Sequence, residues 1–407
     1  MRPLLLCCAA LLPPASVSAT TRVTVSAVLE SPTPILSAQN AAGMGRCTAA
    51  SFCYNAAFVP KHGDQPAGIL ARLRNLSAGY LGPSRLAWAP TDAQGRAGDM
   101  TPRDIVFGPA PGLAVENNGT EDPRVALDPS TGIYHLAYTA FDAKQKGGGV
   151  ASSASAPPYV SLHLATSRTP SVAGSWVRSG PAFPWLNGHI QSNHTKSGAM
   201  LIRPKPPHYI LFLHTEVSSA FVATSSDLVH WRPLGSEPLL APRPGLFDSH
   251  LTEPGPPPMQ LSDGTWIFFC ARAKACPKTP PADRMDVAGA DNGSSENEDN
   301  STLIYPGCFK PIKTVYSIGW AILRVSDDPE RPSVTIVDRA TEPIIHFDAT
   351  EWTLGKKPWP CKQPNIAFVE GAEALGGDRF RLYFGAADAT EGTAVASVQL
   401  PELGGRR

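Results

Sequence analysis

Apolar and polar residues alternate along much of this chain in short runs separated by turn residues, most clearly between Val125 and Asp142. There Tyr134, Leu136, Tyr138 and Ala140 recur at every second position after a turn at Asp128-Pro129-Ser130-Thr131-Gly132. A period of two rich in aromatic residues predicts a β-hairpin. Glu121-Asp122-Pro123-Arg124 stands ahead of it. Pro123 has no amide to give to a ladder, so Asp122 is expected where the strand opens onto something other than a neighbouring strand. The pattern repeats: Leu164 to Arg168, running on to Trp176, resembles Val222 to Asp227, running on to Trp231. Fainter copies are Leu86 to Asp92 and Ala321 to Pro329. Strand pairs ahead of these copies open on a polar residue at Asn55, Asp122, the 187–196 region, Glu253 and Asn365. The steps are about 60 to 70 residues, except a longer last one holding a predicted insertion from about 273 to 314. Five four-stranded units of this period predict an all-β chain, a five-bladed β-propeller with its active site in the central channel. A pair of stacked sheets would not explain five openings that each carry a polar residue.

Composition agrees with short strands and tight turns. Charged residues are 17% of the 407, while Pro (42) and Gly (35) are frequent. The formal net charge is zero, which excludes a polyanion-binding surface and, with it, nucleic acid as a partner. Residues 1–19 read as a signal peptide: Met1-Arg2, an apolar run from Leu4 to Leu12, and Val17-Ser18-Ala19 as the cleavage site. That run is too short for a bilayer, which needs roughly 20 apolar residues, so no membrane partner is expected. Residues 20–407 are expected to form one domain, secreted or in the secretory lumen. Beyond the leader remain Cys47, Cys53, Cys270, Cys276, Cys308 and Cys361. An even number in an oxidising compartment predicts disulfides, with Cys47 and Cys53 the easiest local pair and the connectivity otherwise open. Sequons at Asn75, Asn118, Asn193, Asn292 and Asn300 predict a glycoprotein. No metal-ligand spacing is present in the sequence, so neither metal nor cofactor is expected.

The motifs together resemble glycoside hydrolase family 130, five-bladed propellers that include β-mannoside phosphorylases and β-1,2-mannosidases. The resemblance rests on Phe52-Cys53-Tyr54-Asn55-Ala56-Ala57 with Ile69-Leu70-Ala71-Arg72, and on Glu121-Asp122-Pro123-Arg124 with Tyr138-Thr139-Ala140. Further along it rests on Ser225 to Trp231, Gly255-Pro256-Pro257-Pro258, Pro364 to Gly371 and Tyr383 to Asp388. Each motif alone is weak, but their order along nearly the whole mature chain is specific. The resemblance implies that Asp122 is the general acid of an inverting reaction. Glu121 beside it, in a partly desolvated channel, would raise its pKa. Asn55 and Asp388 would hold the sugar, and Arg72 and Arg124 would line the channel. Glu121, His214 and Asn365 are further candidates for substrate binding, while Tyr138 reads as core.

Departures from the family pattern bear on the second reactant. The family's phosphorylases hold inorganic phosphate with basic residues, one a Lys shortly before the Gly-Pro-Pro segment and one an Arg after a His. Here Leu251-Thr252-Glu253-Pro254 precedes Gly255, and Leu213-His214-Thr215-Glu216 has no Arg. Carboxylates in these places would repel a phosphate dianion, and one of them could activate water. Glu253 is therefore the leading base, Glu370 the second and Glu216 the third. The expected partner is a β-mannoside oligosaccharide or glycan, cleaved by hydrolysis. The alternatives are phosphorolysis, with inorganic phosphate held by Arg72, Arg124 and His214 or Lys196, and a non-catalytic carbohydrate-binding propeller.

Overall fold

In a computed structural model, residues 22–37, 45–47, 51–75, 83–142, 159–183, 195–206, 208–215, 218–275, 314–328, 330–346, 353–354, 357–358 and 365–401 are described. The signal peptide, Cys276, Cys308, Cys361, Glu216 and the sequons at Asn193, Asn292 and Asn300 lie outside them.

The described residues form five antiparallel four-stranded units. Blade I comprises Ser51–Val59, Gly68–Asn75, Ser84–Pro90 and Ile105–Phe107. Blade II comprises Gly119–Asp128, Ile133–Asp142, Tyr159–Ser167 and Val177–Pro181. Blade III runs through Thr195–Ile202, Tyr209–Thr215, Ala220–Ser225 and Arg232–Pro233. Leu251–Pro254, Trp266–Ala275, Thr314–Val325 and Val334–Arg339 make blade IV. Ala367–Gly376, Arg379–Ala386 and Thr390–Gln399 make blade V, whose outermost strand is Thr24–Leu29 from the other end of the chain. All four repeat copies read from the sequence are third strands, and all five polar openings lie at inner strands. The hairpin at 128–132 forms as expected, with Gly132 at φ 67°. The expected insertion begins later than 273, because the blade IV ladder continues to the pair Ala275 and Thr314.

Period-two alternation explains why the blades stack. In the second strand of blade I, Ile69, Ala71 and Leu73 face one apolar cluster and Leu70 the next. Tyr134, Leu136, Tyr138 and Ala140 share the cluster between blades I and II, whereas Ala137 enters the one between II and III. Leu211 and Leu213 face blade II, while Ile210 and Phe212 meet Phe268 and Cys270 of blade IV. Ile267 and Phe269 join Phe380, Leu382 and Phe384 of blade V, and Tyr383 returns to blade I by stacking on Phe58. Both faces of these strands are thus buried, which is why they read as nearly continuous apolar runs such as Tyr209–Thr215. Apolar clusters lie between each unit and the next and between the last and the first, the architecture of a β-propeller.

Cys47 and Cys53 form a disulfide. The expectation that every cysteine is paired fails at Cys270, a buried thiol whose Sγ donates to the Phe268 carbonyl at 3.5 Å inside the apolar cluster between blades III and IV. Asn118 is buried too, with its backbone amide bonded to the Phe141 carbonyl, so that sequon is no surface acceptor.

Candidate active site

The inner strands of blades I, II and III share one irregularity at the same place. Pairing with the second strand slips between Tyr54 and Ala57, between Glu121 and Arg124, and between Lys196 and Ala199. At each slip one residue has positive φ: Asn55 (56°), Asp122 (50°) and Ser197 (52°). The next residue is Ala56, Pro123 or Gly198. Asn and Asp tolerate this left-handed backbone better than most residues, and such bulges re-aim a side chain out of the sheet. Here they turn Asn55 and Asp122 into the channel.

A cavity of about 180 Å³ lies at that level, lined by Asn55, Arg72, Asp122, Lys196, Glu253, Tyr316, Ile366, Phe368 and Asp388. Asp122 Oδ1 accepts from Asn55 Nδ2 at 2.9 Å and from Arg72 NH1 at 2.8 Å. Arg72 also pairs with Glu121, which takes a hydrogen bond from Ser84 Oγ at 2.8 Å. Across the pocket, Glu253 Oε1 accepts from Ser197 Oγ and lies 3.0 Å from Lys196 Nζ, while its buried Oε2 has no hydrogen-bond partner. Tyr316 and Phe368 meet edge to face at 6.0 Å and give the pocket an aromatic side.

Electrostatics set both carboxyls in the same direction. Burial pushes the Asp122 carboxyl up, but the guanidiniums of Arg72 and Arg124, the Asn55 amide and the Lys196 ammonium outweigh it and hold the group below the usual carboxylate range. The expected rise caused by Glu121 does not occur, because Glu121 is spent on Arg72 and Ser84. Burial also works against Glu253, and there Lys196, Ser197 and Arg124 overcome it and hold the carboxyl below its usual range. Burial pulls the His214 imidazole down to about 4, so it stays neutral.

The structure gathers Asn55, Arg72, Asp122, Glu253 and Asp388 of the candidates named from the sequence. It sets five others apart from the pocket wall. Glu121 is buried behind Arg72. Arg124 is 1% exposed and donates to the Asp122 carbonyl at 2.9 Å, the Pro254 carbonyl at 2.8 Å and the Gly255 carbonyl at 3.3 Å. It is therefore a bracket between the strands of Asp122 and Glu253 and does not line the channel. Asn365 contributes its carbonyl, which accepts from the Tyr316 amide at 2.9 Å, while His214 is buried behind Glu253. Glu370, the second candidate base, is completely buried below the pocket, and burial raises its carboxyl well above the usual range. Arg124 NH1 lies 3.1 Å from Glu370 Oε1 and pulls the other way. Burial is the larger of the two influences, and Glu370 is not among the residues that line the pocket of Asp122 and Glu253. A larger cavity of about 630 Å³ follows the later residues of the inner strands, including Val125, Met200, Pro257 and Ala372. It is largely apolar, with Glu370 and Glu373 among its lining residues, and each of these carboxyls is paired with an arginine, Arg124 and Arg381. Tyr138 is core, as expected, its hydroxyl donating to Glu116 at 2.7 Å.

Lys196, Tyr316, Ile366 and Phe368 escaped the sequence reading as members of this pocket, as did Ser197 as a donor to Glu253, although Lys196 entered the phosphorolysis alternative. Ser197-Gly198 did carry a signal, the same tolerant-then-small pair as Asn55-Ala56. Tyr316 and Phe368 carried none.

The model of glycoside hydrolase family 130, described as β-1,4-mannooligosaccharide phosphorylase, matches residues 102–276. No curated protein matches the sequence. Among solved structures, a glycosyl hydrolase from Bacteroides ovatus is 23% identical with a TM-score of 0.57, covering 85% of this chain and 84% of that one. A structure from the GH130 hydrolases that target β-1,2 mannosidic linkages in Candida mannan is 24% identical with a TM-score of 0.59, covering 86% and 88%. The β-1,2-mannobiose phosphorylase of Listeria innocua is 15% identical with a TM-score of 0.56, covering 91% and 96%. At these identities the likeness shows a shared fold, and the family model adds the motifs of blades II to IV. The resemblance read from the motifs is thus matched by the family model of glycoside hydrolase family 130 over residues 102–276, and the fold is shared with solved mannoside phosphorylases and glycoside hydrolases that act on β-mannosidic linkages.

Proposed function

We propose that this chain is a secreted, inverting glycosidase that cleaves β-linked mannosides with water. The observation that carries the reading is the charge balance of the pocket. Three carboxylates, Asp122, Glu253 and Asp388, face two cations, and each cation is already paired: Arg72 with Asp122 and Glu121, Lys196 with Glu253. A phosphate dianion would have to break those pairs and approach uncompensated carboxylates, whereas a neutral sugar would not.

Glu253, ionised and with one oxygen unpartnered, takes a proton from water, whose oxygen forms the new bond to the anomeric carbon. The bond to the glycosidic oxygen breaks on the opposite face, and Asp122 supplies the proton that the departing oxygen takes up. Inversion follows because attack and departure occur on opposite sides. Glu253 then releases its proton to solvent and Asp122 is reprotonated. Sugar filling the pocket displaces water around Asp122 and strengthens the burial contribution that favours its protonated form. The described walls enclose less space than the 300–1,000 Å³ typical of small-molecule pockets, which suits a terminal sugar unit. Arg72 and Asn55 would orient it from the side of the acid. Phosphorolysis is the second reading, favoured by the phosphorylase description of the matching family model.

Incubation with β-1,2- and β-1,4-mannobiose, with and without phosphate, tests the proposal. Free mannose formed without phosphate is the expected result, and mannose 1-phosphate formed only with phosphate would overturn it. Asp122→Asn should lose on the order of a hundredfold or more in turnover with the fold intact. Glu253→Gln should abolish hydrolysis, and added azide should restore turnover and yield the α-mannosyl azide.

A further inference from the structure

Glu391 lies on the third strand of blade V, fully buried and outside the pocket. Its Oε2 accepts from the Ala56 amide at 3.2 Å, and the Asn55 amide also donates to this carboxyl. These amides belong to the two residues that the bulge leaves without a partner in the ladder with Gly68–Asn75. Across blade V, Glu391 pairs with Gly385, where an added Cβ would lie 2.0 Å from Asn55 Oδ1. The Asn55 side chain is thus seated on a glycine with its backbone tied down from below, and from that seat Nδ2 reaches Asp122 Oδ1 at 2.9 Å. A non-glycine residue held at positive φ is strained and persists only where its surroundings determine it.

We infer that Glu391 is a positioning residue: its carboxyl caps the two bulge amides of blade I and so holds Asn55 in donating position on Asp122. The inference rests on the reading of Asp122 as general acid. Arg72, Arg124, Lys196, Tyr316 and Glu370 are the other ionisable groups acting on Asp122. None of them touches Glu391 through a hydrogen bond; Glu370 alone among them is raised by the Glu391 charge, and Glu391→Gln removes that charge while keeping an acceptor oxygen.

The test measures kcat/KM against pH on β-mannobiose for Glu391→Leu, Glu391→Met and Glu391→Gln, beside Asn55→Ala and Asp122→Asn. Without the capping oxygens, kcat/KM should fall on the order of tenfold to a hundredfold. The alkaline limb should move to higher pH, because Asp122 keeps its proton longer once the Asn55 donation is gone. Asn55→Ala should move the limb the same way, and Glu391→Leu should then move it no further. Glu391→Gln retains an acceptor oxygen and should keep the wild-type profile. A folded Leu or Met variant that loses rate without moving the limb would overturn the inference, as would a shifted limb in the Gln variant. Wild-type turnover by Asp122→Asn would sink the acid assignment instead. In that event, or if the wild type cleaves no mannoside, a crystal structure of a folded Glu391 variant decides: Asn55 unmoved, at positive φ, overturns the inference, and Asn55 displaced upholds its geometry.

Discussion

At Asp122 two demands oppose each other. A general acid must carry a proton, yet in the empty pocket Arg72, Arg124 and the Asn55 amide hold this carboxyl below the usual range. Glu253 is held low as well, which suits a base. Because kcat/KM reports the free enzyme, it should fall at low pH as Glu253 gains a proton and fall again as pH rises through the lowered pKa of Asp122. Hydrolysis should therefore peak on the acid side and decline about tenfold per pH unit toward neutrality. A rate that stays flat or climbs from about pH 5 to pH 7 would show that Asp122 is not the acid in this state. At Cys270, alkylation followed by mass spectrometry should find no reaction in the folded protein and full reaction after unfolding without reductant, with Cys47 and Cys53 blocked throughout.

Among the elements, the inner strands carry the chemistry because their bulges break the ladder where the channel opens. Arg124 then ties those strands together: one guanidinium serves the Asp122 carbonyl of blade II and the Pro254 and Gly255 carbonyls at the end of the Glu253 strand. Arg124→Leu would leave three carbonyls poorly satisfied in a buried place and should cost about 3–5 kcal/mol in urea unfolding. Arg124→Lys should recover only part of this, since an ammonium lacks the planar fork. Full stability in Arg124→Leu would mean that water replaces the bracket.

On the scale of the molecule, closure depends on a strand from the far end of the sequence. Thr24–Leu29 pairs with Thr390–Gln399 along its whole length. A chain starting at residue 30 should lose several kcal/mol, at about 0.5–1.5 kcal/mol for each ladder hydrogen bond, and unfold less cooperatively by calorimetry. Unchanged unfolding would show that blade V does not need its fourth strand. Buried Glu370 adds a pH dependence. Its folded pKa lies above the unfolded value of about 4.3, so the folded state binds the proton more tightly and stability from this group falls as pH rises above that value. Glu370→Gln removes the effect, so its stability relative to wild type should grow between about pH 4 and neutrality. A difference independent of pH would mean that Glu370 is ionised in the fold.

The order of residues by itself determined the all-β class, the five units and the level at which Asn55, Asp122 and Glu253 stand. Period-two alternation and turn chemistry are local, and a repeated unit announces its own spacing. Tyr134, Leu136 and Tyr138 show this: their alternation already assigns them to one face. The tertiary structure alone decided which charges meet. Glu121 and Asp122 are neighbours in the chain, yet the bulge aims one into the channel while Arg72 holds the other behind it. Arg124 and Glu370, which read as a channel cation and a base, are buried 3.1 Å from each other and away from the pocket wall. Lys196, Tyr316 and Phe368 gain their places from three different blades, and no local pattern can encode that. Side-chain direction and burial depend on how the blades stack around the ring, and those two properties set the ionisation of each carboxyl and the part it can play.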